Sequence, residues 1–280
     1  MPIVCPFGLG DSTLLDGHGE LRPSELSVRG VPDFGRNGVS DVSGYLTRVG
    51  AGDDGQLATP HIKVRTMADT YVYRGSNTEV SHDYLRPCVD RFLRDAAYGS
   101  VLLDMGCGNG SFIAAYRSKG SGWKLYGTDS STTGIQIAKE TYPEVHFILA
   151  DSERPSEELL ALREKVDVIV STEVVEHLYA PRDFLRSAYG MLRPGGMFIV
   201  STPYHGYLKN LVMALTGKLD RHFTATWDHG HIKFWSLKTL THVLTEAGFT
   251  NFALEGAGRF PFLWKSMVIR CYKPLDPPSR

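Results

Sequence analysis

The residues best suited to chemistry are acids that end successive apolar runs, together with a glycine-rich turn. Asp104 lies in the run 101–105 and directly precedes the turn 106–110, where glycine occupies alternate positions. Asp129 and Asp151 end the next two runs. Glycine permits a sharp turn and a close backbone approach to a ligand, and open α/β sheets bind ligands at the carboxyl ends of their strands. The spacing therefore predicts one ligand site bordered by the turn and the three carboxylates.

The glycine spacing distinguishes between two classes of ligand. A dinucleotide site uses the pattern GxGxxG, whereas this turn reads GxGxG and has Ser111 where the third glycine would stand. Asp104 would also repel a pyrophosphate, but it suits a cationic group such as the ammonium of an amino acid. Asp129 stands where an acid can bind ribose hydroxyls. The pattern therefore disfavours a nicotinamide oxidoreductase.

A second group of candidate residues follows the run 166–171. Glu173, Glu176 and His177 lie at i, i+3 and i+4, so a helix would place them on one face. His231 comes later, in a stretch rich in histidine. Such a cluster is typical of a divalent metal site, or of a base with its orienting partners. We expect a metal-free pocket wall with His177 and His231 as candidate bases, and a metal held by these four residues is the alternative.

Strands and helices alternate from residue 100 onward, and they must position the candidate residues. Short apolar runs separated by helices are typical of a parallel sheet covered on both faces, and right-handed crossovers make it doubly wound. The last two runs are joined without a helix, which allows an antiparallel hairpin at the edge. The predicted strands are 101–105, 123–128, 145–150, 166–171, 197–202, 249–254 and 264–271, and the predicted helices are 78–98, 111–119, 132–141, 156–164, 181–192 and 237–247.

Taken together, the motifs DMGCGNG, TDSS, ADSE and LRPGG resemble those of the class I S-adenosylmethionine-dependent methyltransferases. The resemblance covers residues 85–272. Within the family, the sequence is similar to the small-molecule type, such as ubiquinone-pathway O-methyltransferases, some of which carry ExxEH. It implies an α/β fold with a Rossmann-like, doubly wound, seven-stranded, mostly parallel sheet that has one antiparallel edge strand. It also implies S-adenosylmethionine as the cofactor, with a divalent cation in addition if the metal alternative holds.

The resemblance gives each motif residue a role in cofactor binding. Asp104 is expected near the methionine end of the cofactor, and Gly106 and Gly108 are expected to contribute backbone contacts. Asp129 is expected to bind the ribose hydroxyls, and Glu173 to lie beside the sulfonium. The remaining expected contacts are Ser130 next to Asp129, Asp151 and Ser152 at the adenine edge, and Tyr71 and Tyr73 as a cover over the cofactor.

The chain divides into an arm and a catalytic domain. Residues 1–77 are predicted to form an irregular arm or lid with a hairpin of 45–49 and 61–66, because residues 1–60 are dense in glycine and proline. Residues 78–280 form the methyltransferase domain, in which the insertion 203–233 helps to form the acceptor pocket. Its predicted helix, 207–216, is expected to pack as a cap on the core, and an apolar lid for an amphiphilic acceptor is the alternative. The apolar side of this helix consists of Leu208, Leu211, Val212 and Leu215.

Composition narrows the possible partners. The chain has 30 basic and 31 acidic residues, so it lacks the basic excess of a general nucleic-acid binder. Its 4 cysteines form no CxxC pair, which disfavours a zinc ribbon and a disulfide framework. No signal peptide is recognisable and no apolar run approaches the roughly 20 residues of a membrane span. We therefore expect a cytoplasmic protein without a nucleic-acid partner, and an oligomer formed by exchange of the arm stays open.

These observations together predict O-methylation of a hydroxyl on a small molecule. The abundance of histidine in ExxEH and in the insertion supplies candidate bases for a hydroxyl acceptor, whose own pKa is high. N-methylation of a small molecule needs less help from a base and is the alternative. Metal-dependent 2′-O-methylation of RNA is disfavoured by the neutral charge and the lack of basic runs. A cofactor-binding scaffold without catalysis is disfavoured by the intact acids.

Overall fold

The computed structural model describes residues 72–94, 96–97, 99–117, 122–151, 156–223, 226 and 230–275. The predicted hairpin in the arm, Tyr71 and Ser152 lie outside these residues. Within the described ranges, the longest apolar helices are too short to cross a lipid bilayer.

Seven strands form one mixed sheet. The strands are β1 (Val101–Met105), β2 (Lys124–Asp129), β3 (His146–Leu149), β4 (Val166–Thr172), β5 (Leu192–Pro203), β6 (Thr250–Ala257) and β7 (Ser266–Tyr272). Their order across the sheet is β3-β2-β1-β4-β5-β7-β6. The first five strands pair in parallel, and β7 runs antiparallel to both of its neighbours, β5 and β6. The predicted doubly wound, mostly parallel sheet is therefore confirmed, with the antiparallel strand in the pair at the edge.

Helices cover both faces of the sheet. They are α1 (Val80–Leu93), α2 (Ser111–Ala114), α3 (Thr132–Thr141), α4 (Glu157–Leu160), α5 (Pro181–Met191), α6 (Tyr207–Leu215), α7 (Leu219–Phe223) and α8 (Leu237–Glu246). Local signals explain where several begin. The Ser131 hydroxyl accepts a hydrogen bond from the Gly134 backbone at the start of α3, and Ser236 and Thr239 form a capping box at α8. Pro181 begins α5, where its missing N–H removes no helical bond.

Several predicted helices differ from the observed ones. The segment 207–216 does form a helix, α6, but α2 ends at Ala114 and α4 ends at Leu160, well before the predicted ends at 119 and 164. Glu164 has a φ of 56°, a left-handed conformation that no helix continues through. The ExxEH segment forms a short 3₁₀ turn, Val175–His177, so the shared helical face that the spacing suggested does not form.

The core lies on both faces of the sheet because neighbouring strand residues point in opposite directions. Leu102 of β1 belongs to the core cluster on the face covered by α1 and α3, whereas Leu103 belongs to the cluster on the face covered by α5 and α8. Val168 and Ile169 of β4 divide in the same way. Burial on both faces explains why the strands read as continuous apolar runs. The carboxyl ends of β1, β2 and β4 are thereby held rigidly, and the candidate residues extend from them.

Candidate cofactor and acceptor site

The glycine-rich turn connects β1 to α2 and packs against the end of β2. The backbone N–H of Gly106 donates to the Thr128 carbonyl at 2.8 Å. Gly106 has a φ of 84°, and a Cβ at this position would lie 2.4 Å from Val174 Cγ2. A side chain at position 106 would therefore collide with the turn that follows β4. This close approach requires glycine and brings the ends of β1 and β4 together.

Asp129, at the end of β2, holds the turn in place. Its Oδ2 accepts a hydrogen bond from the Gly108 backbone and its Oδ1 accepts one from the Ser131 backbone, both at 2.8 Å. Burial raises the pKa of Asp129, and the backbone N–H groups around the carboxylate oppose this effect. A carboxylate has about four acceptor positions, so two hydroxyls of a ribose can bind while both backbone bonds persist.

Two further predicted contacts lie beside Asp129. Ser130 is half-buried at the end of β2. Asp151 is exposed just beyond β3, and the preceding residue, Ala150, donates its backbone N–H to the Asp129 carbonyl at 3.0 Å. The structure therefore brings Asp151 to the same sheet end as Asp129, as the strand pattern predicts. Ser152 lies outside the described residues.

Asp104 is a buried carboxylate without a hydrogen-bond partner in the described part of the chain. Its side chain is 1% exposed, and both of its carboxylate oxygens are unsatisfied. Burial, together with the negative charge of Asp129 and against the charge of Arg86, raises the pKa of Asp104 to about 8. An unpaired buried acid is costly. A cationic ligand group would remove this cost, so the site fits the ammonium of S-adenosylmethionine.

Asn109 ties the glycine-rich turn to the segment that precedes α1. Its Nδ2 donates to the carbonyls of Gly75 and Asn77 at 3.0 and 2.9 Å, and its Oδ1 accepts from the Ser111 backbone at 3.2 Å. The side chain is 3% exposed. Asn109 is not among the residues predicted from the sequence, although a polar side chain between two glycines of a binding turn is a recognisable signal.

Tyr73 covers the glycine-rich turn from the same segment. Its backbone N–H donates to Thr133 Oγ1 at 3.0 Å. A Cβ at Gly108 would lie 2.3 Å from the Tyr73 hydroxyl, and one at Gly134 would lie 2.9 Å from the Tyr73 ring. Tyr73 therefore lies against both glycines, next to the residues predicted to bind the cofactor. Tyr71, the other predicted cover, is outside the described residues.

Glu173 follows β4 in a left-handed conformation, with a φ of 55°. Its Oε1 accepts a hydrogen bond from Ser201 Oγ at 2.8 Å, and its Oε2 accepts one from Ser266 Oγ at 3.0 Å. Burial raises the pKa of Glu173 to about 7, and the two serines and the charge of Lys209 oppose this rise. The left-handed backbone and the serines direct Glu173 toward β5 and β7. The predicted four-residue cluster therefore loses this member.

Glu176, His177 and His231 form a compact cluster beside Glu173. The possible ligand atoms of the three residues all lie within 4.8 Å of one another. The rings of the two histidines lie 5.0 Å apart, centre to centre, in an edge-to-face arrangement. Glu176 Oε2 accepts from Thr202 Oγ1 at 3.0 Å, and Oε1 lies 4.0 Å from His177 Nε2. The structure thus brings both predicted bases to one buried carboxylate.

Backbone bonds fix this cluster and bury its charge. The Glu176 carbonyl accepts from the backbones of Ile232 and Lys233 at 3.0 and 2.9 Å, which ties the end of the insertion to the 3₁₀ turn. Burial raises the pKa of Glu176, and the charge of Glu173 raises it further. Burial, with smaller effects from the nearby His177 and His222, lowers the pKa of His231 to about 4. His231 is therefore a neutral imidazole at pH 7, as a general base must be.

The insertion contradicts one prediction about its helix. The residues of the predicted apolar side of α6 are 39–78% exposed, so this side does not pack on the core: Leu208, Leu211, Val212 and Leu215. Lys209 is buried instead, at 4% exposed. Its Nζ donates to the Lys265 carbonyl at 3.1 Å. A pattern of apolar spacing does not reveal which side of a short helix meets the protein.

Three comparisons extend these observations. The family described as a methyltransferase domain matches residues 78–254. A ubiquinone biosynthesis O-methyltransferase of Cereibacter sphaeroides is 28% identical over 170 residues, which make up 59% of this chain and 66% of that protein. The chain spans between about half and two thirds of the length of the first such relatives.

Solved structures share the fold at low identity. An S-adenosylmethionine-dependent methyltransferase of Thermotoga maritima, described as a possible histamine N-methyltransferase, superposes with a TM-score of 0.51 at 18% identity, over 67% of this chain and 86% of that one. The [4+2]-cyclase SpnF superposes with a TM-score of 0.55 at 15% identity, over 74% and 87% of the two chains. These likenesses show the fold alone. The match to the methyltransferase domain family covers more than half of the chain, and the glycine-rich turn and its acids agree with it. The chain therefore belongs to the class I S-adenosylmethionine-dependent methyltransferase family.

Proposed function

We propose that the protein transfers a methyl group from S-adenosylmethionine to a hydroxyl of a small molecule. The observation that carries this proposal is the cluster of Glu176, His177 and His231, which lies beside Glu173 at the end of β4. A hydroxyl must lose a proton when it is methylated, and neutral imidazoles are suited to accept it. The names of the curated relatives, ubiquinone biosynthesis O-methyltransferases, support the same reaction.

Residues at the ends of β1 and β2 would bind the cofactor. When bound, S-adenosylmethionine supplies a methyl group already activated by a sulfonium. Asp129 would accept hydrogen bonds from the ribose hydroxyls, and Asp104 would compensate the positive charge of the ammonium. Tyr73 would close over the nucleoside from the segment that precedes α1. The glycine-rich turn allows each of these groups to approach without steric conflict.

His177 and His231 would activate the acceptor. Either His177 or His231 takes the proton from the acceptor hydroxyl, and the buried Glu176 carboxylate stabilises the imidazolium that results. The bonds from Glu176 to Thr202 and to the backbone after the insertion hold this group in position. Fixed geometry aligns acceptor and methyl donor before reaction, which lowers the entropic part of the barrier.

The test is a screen of hydroxyl and amine acceptors for the gain of one methyl group, followed by mass spectrometry. We expect phenols or catechols to be methylated on oxygen with production of S-adenosylhomocysteine. Methylation confined to amines would replace the proposal with N-methylation. Binding of the cofactor without transfer to any acceptor class would instead indicate a scaffold that lacks catalysis.

A further inference from the structure

Lys209 of α6 is buried and forms no close ion pair with the described residues, although the charge of Glu173 acts on it from farther away. It is 4% exposed, whereas the apolar residues of the same helix face outward. Its Nζ donates to the Lys265 carbonyl at 3.1 Å, and no carboxylate of the described residues lies within 4.0 Å of it. Lysine is almost never fully buried unless it is paired. The ammonium therefore has two N–H groups that the described part of the chain does not satisfy.

Further basic groups surround Lys209. The His205 and His222 rings lie 5.0 Å apart, and His222 Nε2 is buried without a hydrogen-bond partner in the described ranges. The charge of Arg259, in the connection between β6 and β7, lowers the pKa values of both Lys209 and His222. Burial lowers the pKa of Lys209 to about 8 and that of His205 to about 4. Lys209 is therefore charged at pH 7 whereas His205 is neutral, and Glu173 is the carboxylate whose charge acts on Lys209.

This cluster lies next to the site of methyl transfer. Lys209 binds the carbonyl of Lys265, and the adjoining Ser266 donates its hydroxyl to Glu173 at 3.0 Å. Glu173 precedes Val174, which packs on Gly106 of the glycine-rich turn. The backbone of Lys265 and Ser266 therefore links Lys209 to Glu173 and, through Val174, to the glycine-rich turn.

Aromatic rings border the basic cluster. Phe223 and Phe234 lie 4.8 Å apart, centre to centre, and the His205 ring is 5.2 Å from that of Phe234. Such walls suit a flat or apolar body, and the basic groups suit a charged end. The aromatic rings and the basic groups therefore lie side by side.

We propose, building on the methyltransferase function above, that the acceptor carries an anionic group, a carboxylate or a phosphate, which Lys209 binds with His222. The anion would satisfy the two remaining N–H groups of Lys209 and the unpartnered nitrogen of His222. The hydroxyl of the acceptor would then lie toward Glu173, His177 and His231.

The test uses the protein loaded with S-adenosylhomocysteine and three small probes, namely benzoate, phenyl phosphate and the neutral benzamide. Calorimetry measures their affinities for the parent, for Lys209→Met and for the matched control Lys218→Met, whose lysine is exposed in the same insertion. We expect at least one anion to bind about tenfold more tightly than benzamide, and we expect Lys209→Met to remove this preference. Lys218→Met should retain it, and the preferred anion identifies carboxylate or phosphate.

Other outcomes would overturn the inference. Equal binding of benzamide and both anions, or an anion preference that survives Lys209→Met, excludes an anion site at Lys209. Thermal unfolding checks that Lys209→Met folds, and replacement of a buried charge by an apolar chain of similar length is often tolerated. Lys209→Arg, which retains the charge, should retain the anion preference. Calorimetry also measures the binding of S-adenosylhomocysteine itself, and the anion titrations are repeated without it. Failure to bind S-adenosylhomocysteine would contradict the proposed function, whereas the anion titrations alone test the site at Lys209.

Discussion

At the scale of single residues, Asp129 combines support of the binding turn with a role in ligand binding. An acid that stands at the end of a strand carries little packing of its own. The structure instead shows both carboxylate oxygens bonded to backbone N–H groups of the turns on either side. Removing the carboxylate therefore disturbs the shape of the cofactor site as well as one of its contacts.

Asp129→Asn should lower both stability and cofactor affinity. An amide nitrogen would face the N–H of either Gly108 or Ser131, so one bond is lost and a donor stays unsatisfied. We expect the free energy of unfolding to fall by about 1–3 kcal/mol and the dissociation constant of S-adenosylmethionine to rise at least about tenfold. Urea denaturation and calorimetry measure the two effects, with the exposed Asp220→Asn as a control. An unchanged dissociation constant would remove Asp129 from the cofactor site.

Asp104 should make stability depend on pH. Its pKa in the folded protein is about 8, above the ordinary 3.8, so the folded state binds this proton more tightly than the unfolded state does. Stability is therefore full below about pH 4 and declines as the pH rises toward 8. Asp104→Asn removes this loss, and it should raise the free energy of unfolding at pH 7 by about 1–4 kcal/mol.

Urea denaturation of parent and Asp104→Asn without cofactor checks this prediction. The difference between the two proteins should be present at pH 7 and small at pH 4. Parallel stability curves over this range would show that Asp104 is not a buried, unpaired acid. Calorimetry with S-adenosylmethionine should then show weaker binding to the variant, because the negative charge that faces the ammonium is gone.

At the scale of elements, the 3₁₀ turn after β4 and the end of the insertion act as one unit. The Glu176 carbonyl binds the backbones of Ile232 and Lys233, so His231 is held against His177 although the insertion separates them along the chain. The turn also directs Glu173 toward Ser201 and Ser266. Substituting these histidines therefore tests the chemistry of this unit without altering the ends of β1 and β2.

Alanine at the true base should reduce turnover by about 10²–10⁴-fold and leave cofactor affinity nearly unchanged. We expect this result for His177→Ala, for His231→Ala or for both, measured with an acceptor found by the methyl-transfer screen. The half-buried imidazoles contribute little to the core, so thermal unfolding should change little. Near-parental activity of both variants at neutral pH would place the base elsewhere, or show that none is needed.

A chelator separates a base from a metal ligand in the same unit. The described cluster offers one carboxylate and two imidazoles, because Glu173 is bonded to two serines. We expect EDTA to leave turnover unchanged. Loss of activity that added Zn²⁺ or Mg²⁺ restores would instead assign Glu176, His177 and His231 to a metal.

At the scale of the whole molecule, a sheet covered on both faces leaves the carboxyl ends of its strands as the place for a ligand. A ligand that binds only the folded chain stabilises it, by about 2.7 kcal/mol when present at one hundred times its dissociation constant. We expect S-adenosylmethionine to raise the unfolding temperature and NAD at the same concentration to leave it unchanged, since the turn lacks the third glycine of a dinucleotide site. Comparable stabilisation by NAD in thermal unfolding would contradict the cofactor assignment.

The sequence by itself determined the order of strands and helices, the glycine-rich turn and the acids at the strand ends. These features depend on local rules, because burial on both faces requires continuous apolar runs and a left-handed turn requires glycine. Asp104, Asp129 and Asp151 could be placed at one edge because parallel strands end on the same side of a sheet. His177 and His231 could be named from residue type, although no local rule brings them together.

Only the tertiary structure decided the conformation of Glu173 and the side of α6 that faces inward. Ser201 and Ser266 are remote from Glu173 in sequence, and they reach it only because β5 and β7 pair beside β4. Lys209 is buried because the insertion turns it toward the Lys265 carbonyl. Helical spacing shows that a helix has two sides, but which of them is buried depends on contacts with distant elements.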